Sequence, residues 1–200
     1  MIVITNPSAI SNEISIIDSL FEEGLSLLHI RKPEFSEVEM ARFIDQLKAE
    51  FRSNLVLHSH HQLAERFGIN RIHFSEKDRK NSHDFPARFS KPCRYNSTST
   101  HSIEDFNLLE NDFDYAFLSP VFKSISKENY HPEKDLFEAL KTRTNFKTKV
   151  IALGGIDLEN IAKTLENGFD DVALLGSIWN SENPVKHFKL CQQIAHSYLA

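Results

Sequence analysis

Short apolar, β-branched runs alternate along this chain with longer stretches in which apolar residues recur every three or four positions. The first kind predicts strands over Ile2–Thr5, Ser26–Arg31, Leu55–Ser59, Arg71–Ser75, Arg94–Ser99, Tyr115–Val121, Val150–Gly154 and Asp171–Leu175. The second predicts helices over Ser11–Glu23, Ser36–Phe51, His60–Phe67, Ser102–Asn111, Pro132–Thr142, Asp157–Asn167 and Pro184–Tyr198. "SEVE" at Ser36 and "SIED" at Ser102 carry a hydroxyl followed three residues later by an acid, a helix-start signature. Between Asp78 and Pro92 the periodicity is weak and two prolines intervene, so the helix there is short or distorted.

Glycine punctuates the pattern. "FEEGLSLLHI", "AERFGINRIHF" and "LENGFDDVALL" each run helix, glycine, strand, so Gly24, Gly68 and Gly168 end helices. The repeat is a β-α unit of roughly 25 residues. Parallel neighbours require crossovers, so alternating strands and helices imply a parallel sheet. Eight units in 200 residues fit a single domain over residues 1–200, a minimal (β/α)8 TIM barrel. The competitor is an open doubly wound sheet, which would carry a glycine-rich turn after its first strand; here that turn reads "TNPSA".

The bulk numbers narrow the chemistry. A net charge of −5 argues against nucleic acid or an anionic membrane as partner. No apolar run reaches the ~20 residues of a membrane span, and the first residues, "MIVITNPSA", lack a signal peptide's basic and apolar regions. Cys93 and Cys191 have no metal-type spacing and read as reduced thiols, so a cytoplasmic protein is expected.

Three of the six glycines remain. Gly154 and Gly155 follow the seventh strand and Gly176, with Ser177, follows the eighth. In a barrel these strand tips often bind phosphate, because main-chain N–H groups reach an anion where no side chain blocks them. The other strand ends gather polar groups: His29 and Arg31 on one face of the second strand, then His58, His73 and His101. The "HSHH" run at His58–His61 invites a metal, but adjacent residues at a strand-to-helix junction point in different directions. Taken singly, each histidine is more often structural than catalytic.

"LLHIR", "STHSIED", "DYAFLSPVF", "VIALGGI" and "VALLGSI", in this order and spacing, resemble the thiamine phosphate synthase/TenI family over nearly the whole chain. The resemblance implies one of two activities. The synthase joins a pyrimidine diphosphate to a thiazole phosphate; the TenI type is a thiazole tautomerase that aromatises carboxythiazole phosphate by proton transfer. In the synthase, two aspartates hold a Mg2+ on the diphosphate. The first of them, in an Asn-Asp pair, is replaced here by His58-Ser59, while the second is kept as Asp78. Losing a carboxylate removes a full charge from a shell that needs hard oxygen donors. The family's Gln-x-Arg-x-Lys pattern reads His29-Ile30-Arg31-Lys32-Pro33 here, with Lys32 as a displaced cation.

The phosphate half matches better: Ser124, Ser126 and Lys127 after the sixth strand, with Gly154, Gly155, Gly176 and Ser177. The resemblance makes His101 the proton-transfer residue, with His29 or Arg31 meeting the substrate's carboxylate and His58, His73 and Lys32 lining the substrate. Imidazole suits proton transfer near neutral pH. The favoured expectation is therefore a cofactor-free tautomerase acting on a small phosphorylated thiazole. The alternatives are a divergent synthase using Mg2+ at Asp78, and a non-catalytic thiazole phosphate-binding module. The polar Ser126–Asp135 loop is long enough to close over the site, and exposed loops and helix faces leave room for a homo-oligomer.

Overall fold

A computed structural model describes residues 1–81, 95–109, 112–123 and 135–199. Its centre is a closed barrel of eight parallel strands in sequence order: β1 (Ile2–Ile4), β2 (Leu27–Ile30), β3 (Leu55–Leu57), β4 (Arg71–Phe74), β5 (Tyr95–Thr100), β6 (Tyr115–Leu118), β7 (Lys149–Leu153) and β8 (Asp171–Leu174). β8 pairs with β1 in the register Ile2↔Ala173, so the expected (β/α)8 barrel closes and no open sheet edge is left. The Met1 ammonium donates to Asp171 at 2.7 Å across this seam.

The helices are α1 (Glu13–Glu22), α2 (Glu37–Gln46), α3 (Leu63–Phe67), α4 (Glu76–Asn81), α5 (Ile103–Asn107), α6 (Leu136–Leu140), α7 (Ile161–Glu166), α8 (Gly176–Trp179) and α9 (Pro184–Leu199). Cys93 and most of the connection from Asp78 to Pro92 lie outside the described residues. Both cap signatures form. Ser36 and Glu39 make a reciprocal capping box, and Ser102 Oγ accepts the Asp105 N–H at 3.1 Å. The helix expected over Ser36–Phe51 divides instead. Leu47 turns extended and buries, and a separate 3-10 turn follows at Ala49–Asn54. α7 starts at Ile161 rather than Asp157, because Asn160 Oδ1 accepts the Asp157 N–H and Asp157 Oδ1 accepts the Leu158 N–H, which folds these residues into a turn. The one-turn α8 was not legible in the sequence; its Trp179 Nε1–H donates to Ile4 O at 2.7 Å and ties it to β1.

Two packed regions result. The larger lies between strands and helices and gathers such fully buried residues as Val3, Leu20, Ile44, Phe106, Ile161 and Phe188. The smaller fills one side of the barrel interior with Ile2, Ile4, Tyr115, Phe117, Ile151 and Ala173. The opposite side of the interior, on β2 to β5, is polar: His29, His73, Ser97 and Ser99 point inward. Side chains alternate along a strand, so residues two apart share a face, and this alternation sets the inner lining. Among the described residues no helix is long and apolar enough to cross a membrane.

Candidate functional site

A cavity of about 470 Å3 opens where the strands end. One wall is Leu153, Gly154, Gly155, Ile156, Leu175 and Gly176; the other carries Arg31, His58, His73, Ser99 and His101, with Phe117 and Ile4 also in the lining. Gly154 and Gly176 therefore share one wall, as strand ends adjacent in the barrel must. Among the described residues no hydrogen bond takes the N–H of Gly154, Gly155, Gly176 or Ser177. Free amides on a cavity wall are what an anion needs.

The glycines have a second reason to be glycines. Gly154 and Gly155 adopt φ of 99° and 67°, which side chains rarely do. A Cβ on Gly155 would lie 2.3 Å from Lys123 O, and one on Gly154 would lie 2.9 Å from Pro120 Cα. The segment after β6 thus packs directly on the glycine loop, and Phe122 N donates to Gly154 O at 3.0 Å. Asn160 Nδ2 holds Gly155 O from the other side at 2.9 Å. Ser177 does not line the cavity; its hydroxyl is buried and has no hydrogen-bond partner among the described residues. Ser124, Ser126 and Lys127, and the loop from Ser126 as far as residue 134, lie outside the described residues.

The histidines divide into two groups. His101 is half exposed at the cavity wall. The carbonyl of Ser119 can only accept, so His101 donates from Nδ1 at 2.8 Å, which leaves Nε2 free of its proton in the neutral ring. Nε2 stands 3.5 Å from Glu76 Oε2. Glu76, at the start of α4, also lines the cavity and is paired with Lys80. No motif pointed to it.

His29, His58 and His73 form the second group. His29 is fully buried and does not itself line the cavity. Its Nδ1 lies 2.8 Å from His58 Nε2, and its Nε2 lies 2.6 Å from the Tyr115 hydroxyl. His73 lies between Ser97 Oγ at 2.9 Å and Ser99 Oγ at 3.0 Å, and stacks on His58 with ring centroids 4.1 Å apart. Burial pushes all three imidazoles below their ordinary range, His73 to about 3, and the Arg31 cation adds to the effect on His58 and His73. All three are neutral at pH 7. The remaining histidines of "HSHH" turn away: His60 Nε2 meets Phe35 O at 2.8 Å, and His61 Nε2 meets the carbonyls of Leu57 and His73, both at 3.1 Å.

Lys32 borders the cavity, but its side chain runs into the fold. Its ammonium is fully buried and donates to Glu13 Oε2 at 2.6 Å, Glu13 Oε1 at 2.8 Å and Ser8 O at 3.0 Å. Asp78 does not line the cavity; its carboxylate accepts the Ser75 hydroxyl at 2.5 Å. With Ser59 in place of an acid, Glu76 is the single carboxylate lining the cavity among the described residues and is paired with Lys80, which is short of the oxygen shell that a Mg2+-diphosphate would require.

The comparisons with known proteins agree with this geometry at the level of the family. A family model described as "Thiamine monophosphate synthase" matches residues 1–178. The thiamine-phosphate synthase of Caldicellulosiruptor saccharolyticus is 24% identical over 180 residues, covering 86% of this chain and 79% of the relative. That of Listeria welshimeri is 28% identical over 180 residues, covering 84% and 85%. Among solved structures, the thiamine phosphate pyrophosphorylase from Bacteroides thetaiotaomicron superposes with a TM-score of 0.77 at 30% identity, covering 98% of this chain and 97% of the other. With motifs, barrel and strand-tip cavity all in place, the match over residues 1–178 settles the kinship: the chain belongs to the thiamine monophosphate synthase family.

Proposed function

We propose that this chain acts on a thiazole phosphate in thiamine biosynthesis, holding the anion at the tips of β7 and β8. The observation that carries the reading is the set of uncommitted amides at Gly154, Gly155 and Gly176 on one wall of the cavity. Phosphate binding remote from the reacting atoms fixes the ring in place, which lowers the entropic part of the barrier. The relatives' printed names support condensation as the reaction. A C–N bond forms between the thiazole nitrogen and the pyrimidine's methylene carbon while the C–O bond to the diphosphate breaks, and pyrophosphate leaves. Arg31 lines the cavity and is the cation placed to meet that leaving group.

A second reading has its own observation. His101 lines the cavity with Nδ1 donating to Ser119 O, and Nε2, 3.5 Å from Glu76 Oε2, is the nitrogen placed for proton transfer on a thiazole ring already anchored by its phosphate. That reaction, the tautomerisation of carboxythiazole phosphate, needs no diphosphate site.

One set of assays separates the readings. Purified protein given pyrimidine diphosphate, thiazole phosphate and Mg2+ forms thiamine phosphate if the first reading is right. Given the non-aromatic carboxythiazole tautomer, it changes the ring absorbance if the second is right, and His101→Ala then abolishes the change. Thiazole phosphate bound without turnover in either assay makes the chain a binding module. Calorimetry that detects no thiazole phosphate binding removes all three.

A further inference from the structure

We propose that His29, His58 and His73 form a binding site for a borderline divalent cation such as Zn2+, with an open coordination position facing the cavity. One ring nitrogen from each residue lies within 4.8 Å of the other two. The residues come from β2, the end of β3 and β4, three neighbouring staves, so the convergence follows from barrel closure rather than from one flexible loop.

Three features suit this cluster to a metal ion. The first is charge state. A metal competes with protons for imidazole, and burial keeps these three rings neutral at neutral pH. The second is the outer shell. A ligating histidine needs a partner for its other nitrogen. Tyr115 OH already sits 2.6 Å from His29 Nε2, and Ser97 Oγ sits 2.9 Å from His73 Nδ1; a metal on His73 Nε2 would displace Ser99 Oγ, now 3.0 Å from that nitrogen. If His29 donates from Nε2 to the Tyr115 oxygen, its Nδ1 lone pair turns toward His58. The third is access. His58 and His73 line the cavity while Phe117 backs the group, its ring centroid 4.9 Å from that of His29 and 5.0 Å from that of His73. Three imidazoles within reach of one another, an aromatic backing and one open side supply the donor set of a three-ligand zinc site.

Zn–N bonds of about 2.0–2.1 Å need ring nitrogens roughly 3.3 Å apart. The His29–His58 pair, at 2.8 Å, must open slightly, and the stacked His58 and His73 rings must rotate so that their in-plane lone pairs converge on one ion. The proposal does not depend on which thiazole reaction the chain performs.

The test is titration of the chelator-stripped full-length protein with Co2+, read by its visible absorption, and with Zn2+, read by calorimetry. The expected result is about one ion per chain, with a four-coordinate Co2+ spectrum. His58→Gln and His73→Gln each abolish it, and Tyr115→Phe weakens binding roughly tenfold or more, as expected on losing an outer-shell partner. Added Zn2+ also raises the wild-type Tm by mass action, and does not do so in the two histidine variants. His58 is only partly buried, so His58→Gln reads the site even if His73→Gln fails to fold. His187→Ala serves as a control, because Asp157, His187 and Cys191 form the other close ligand group among the described residues. Co2+ binding that survives in His58→Gln, or that vanishes in His187→Ala, overturns the proposal. So does a wild-type protein that takes up neither ion at millimolar concentration.

Discussion

Replacing Lys32 by methionine tests how the buried Lys32–Glu13 pair is held. Lys32 makes three contacts shorter than 3.1 Å and none with solvent, and Glu13 is 4% exposed. The methionine side chain would keep most of the packing against Phe35 and Phe43, whose ring centroids lie 5.5 Å and 5.0 Å from the ammonium. It would leave a buried carboxylate without its counter-charge, a loss of about 3–5 kcal/mol. Glu13 can escape by taking up a proton: burial already raises its pKa above the ordinary carboxylate value, and Lys32 opposes that rise. Without Lys32 the rise is larger. The variant's folded state then binds a proton that its unfolded state releases above about pH 4.5, so its deficit grows with pH. Urea unfolding of wild type and Lys32→Met at pH 5 and pH 7 therefore shows a larger gap at pH 7. The double variant Glu13→Leu/Lys32→Met, with no buried charge left, recovers most of the stability. A Lys32→Met cost below about 1 kcal/mol at pH 7, or a double variant as unstable as the sum of the singles, refutes the reasoning.

Two further outcomes follow from particular residues. Gly155→Ala combines a left-handed φ of 67° with a Cβ at 2.3 Å from Lys123 O, so strain and overpacking together cost about 2–4 kcal/mol in urea unfolding and weaken phosphate binding. Gly68→Ala, at φ 65° with no atom within 4 Å of the new Cβ, costs only about 1 kcal/mol; equal losses at both sites would sink the close-approach argument. In chelator-stripped protein, His73 has a folded-state pKa of about 3 against an ordinary 6.5, so its stabilisation is present above pH 6.5 and is lost as pH falls toward 3. At pH 5 that amounts to about 2 kcal/mol less than at pH 7 from this residue alone. A His73→Asn variant whose stability falls just as steeply between pH 7 and 5 would contradict it.

Much of the barrel could be read from local signals. Strand and helix periodicity depend on neighbours in sequence, and so do the caps at Ser36 and Ser102, which the structure reproduces with Oγ accepting the N–H three residues on. The placing of Gly154 and Gly176 on one cavity wall was also accessible, because the last two strands of a barrel are adjacent by topology.

What each side chain does at the strand ends was not accessible in this way. Spacing could not show that the ammonium of Lys32, a residue that borders the cavity, turns into the fold toward Glu13, nineteen residues away. It could not bring out Glu76, a single acid in a polar run, nor join His29 and His58 to Tyr115, which lies 86 residues beyond His29. Sequence alone thus determined the order of strands and helices, since hydrophobic period and capping act over a few residues. Only tertiary structure decided which polar groups meet, because barrel closure sets residues tens of positions apart within hydrogen-bonding distance, and burial then dictates which of them keep a charge.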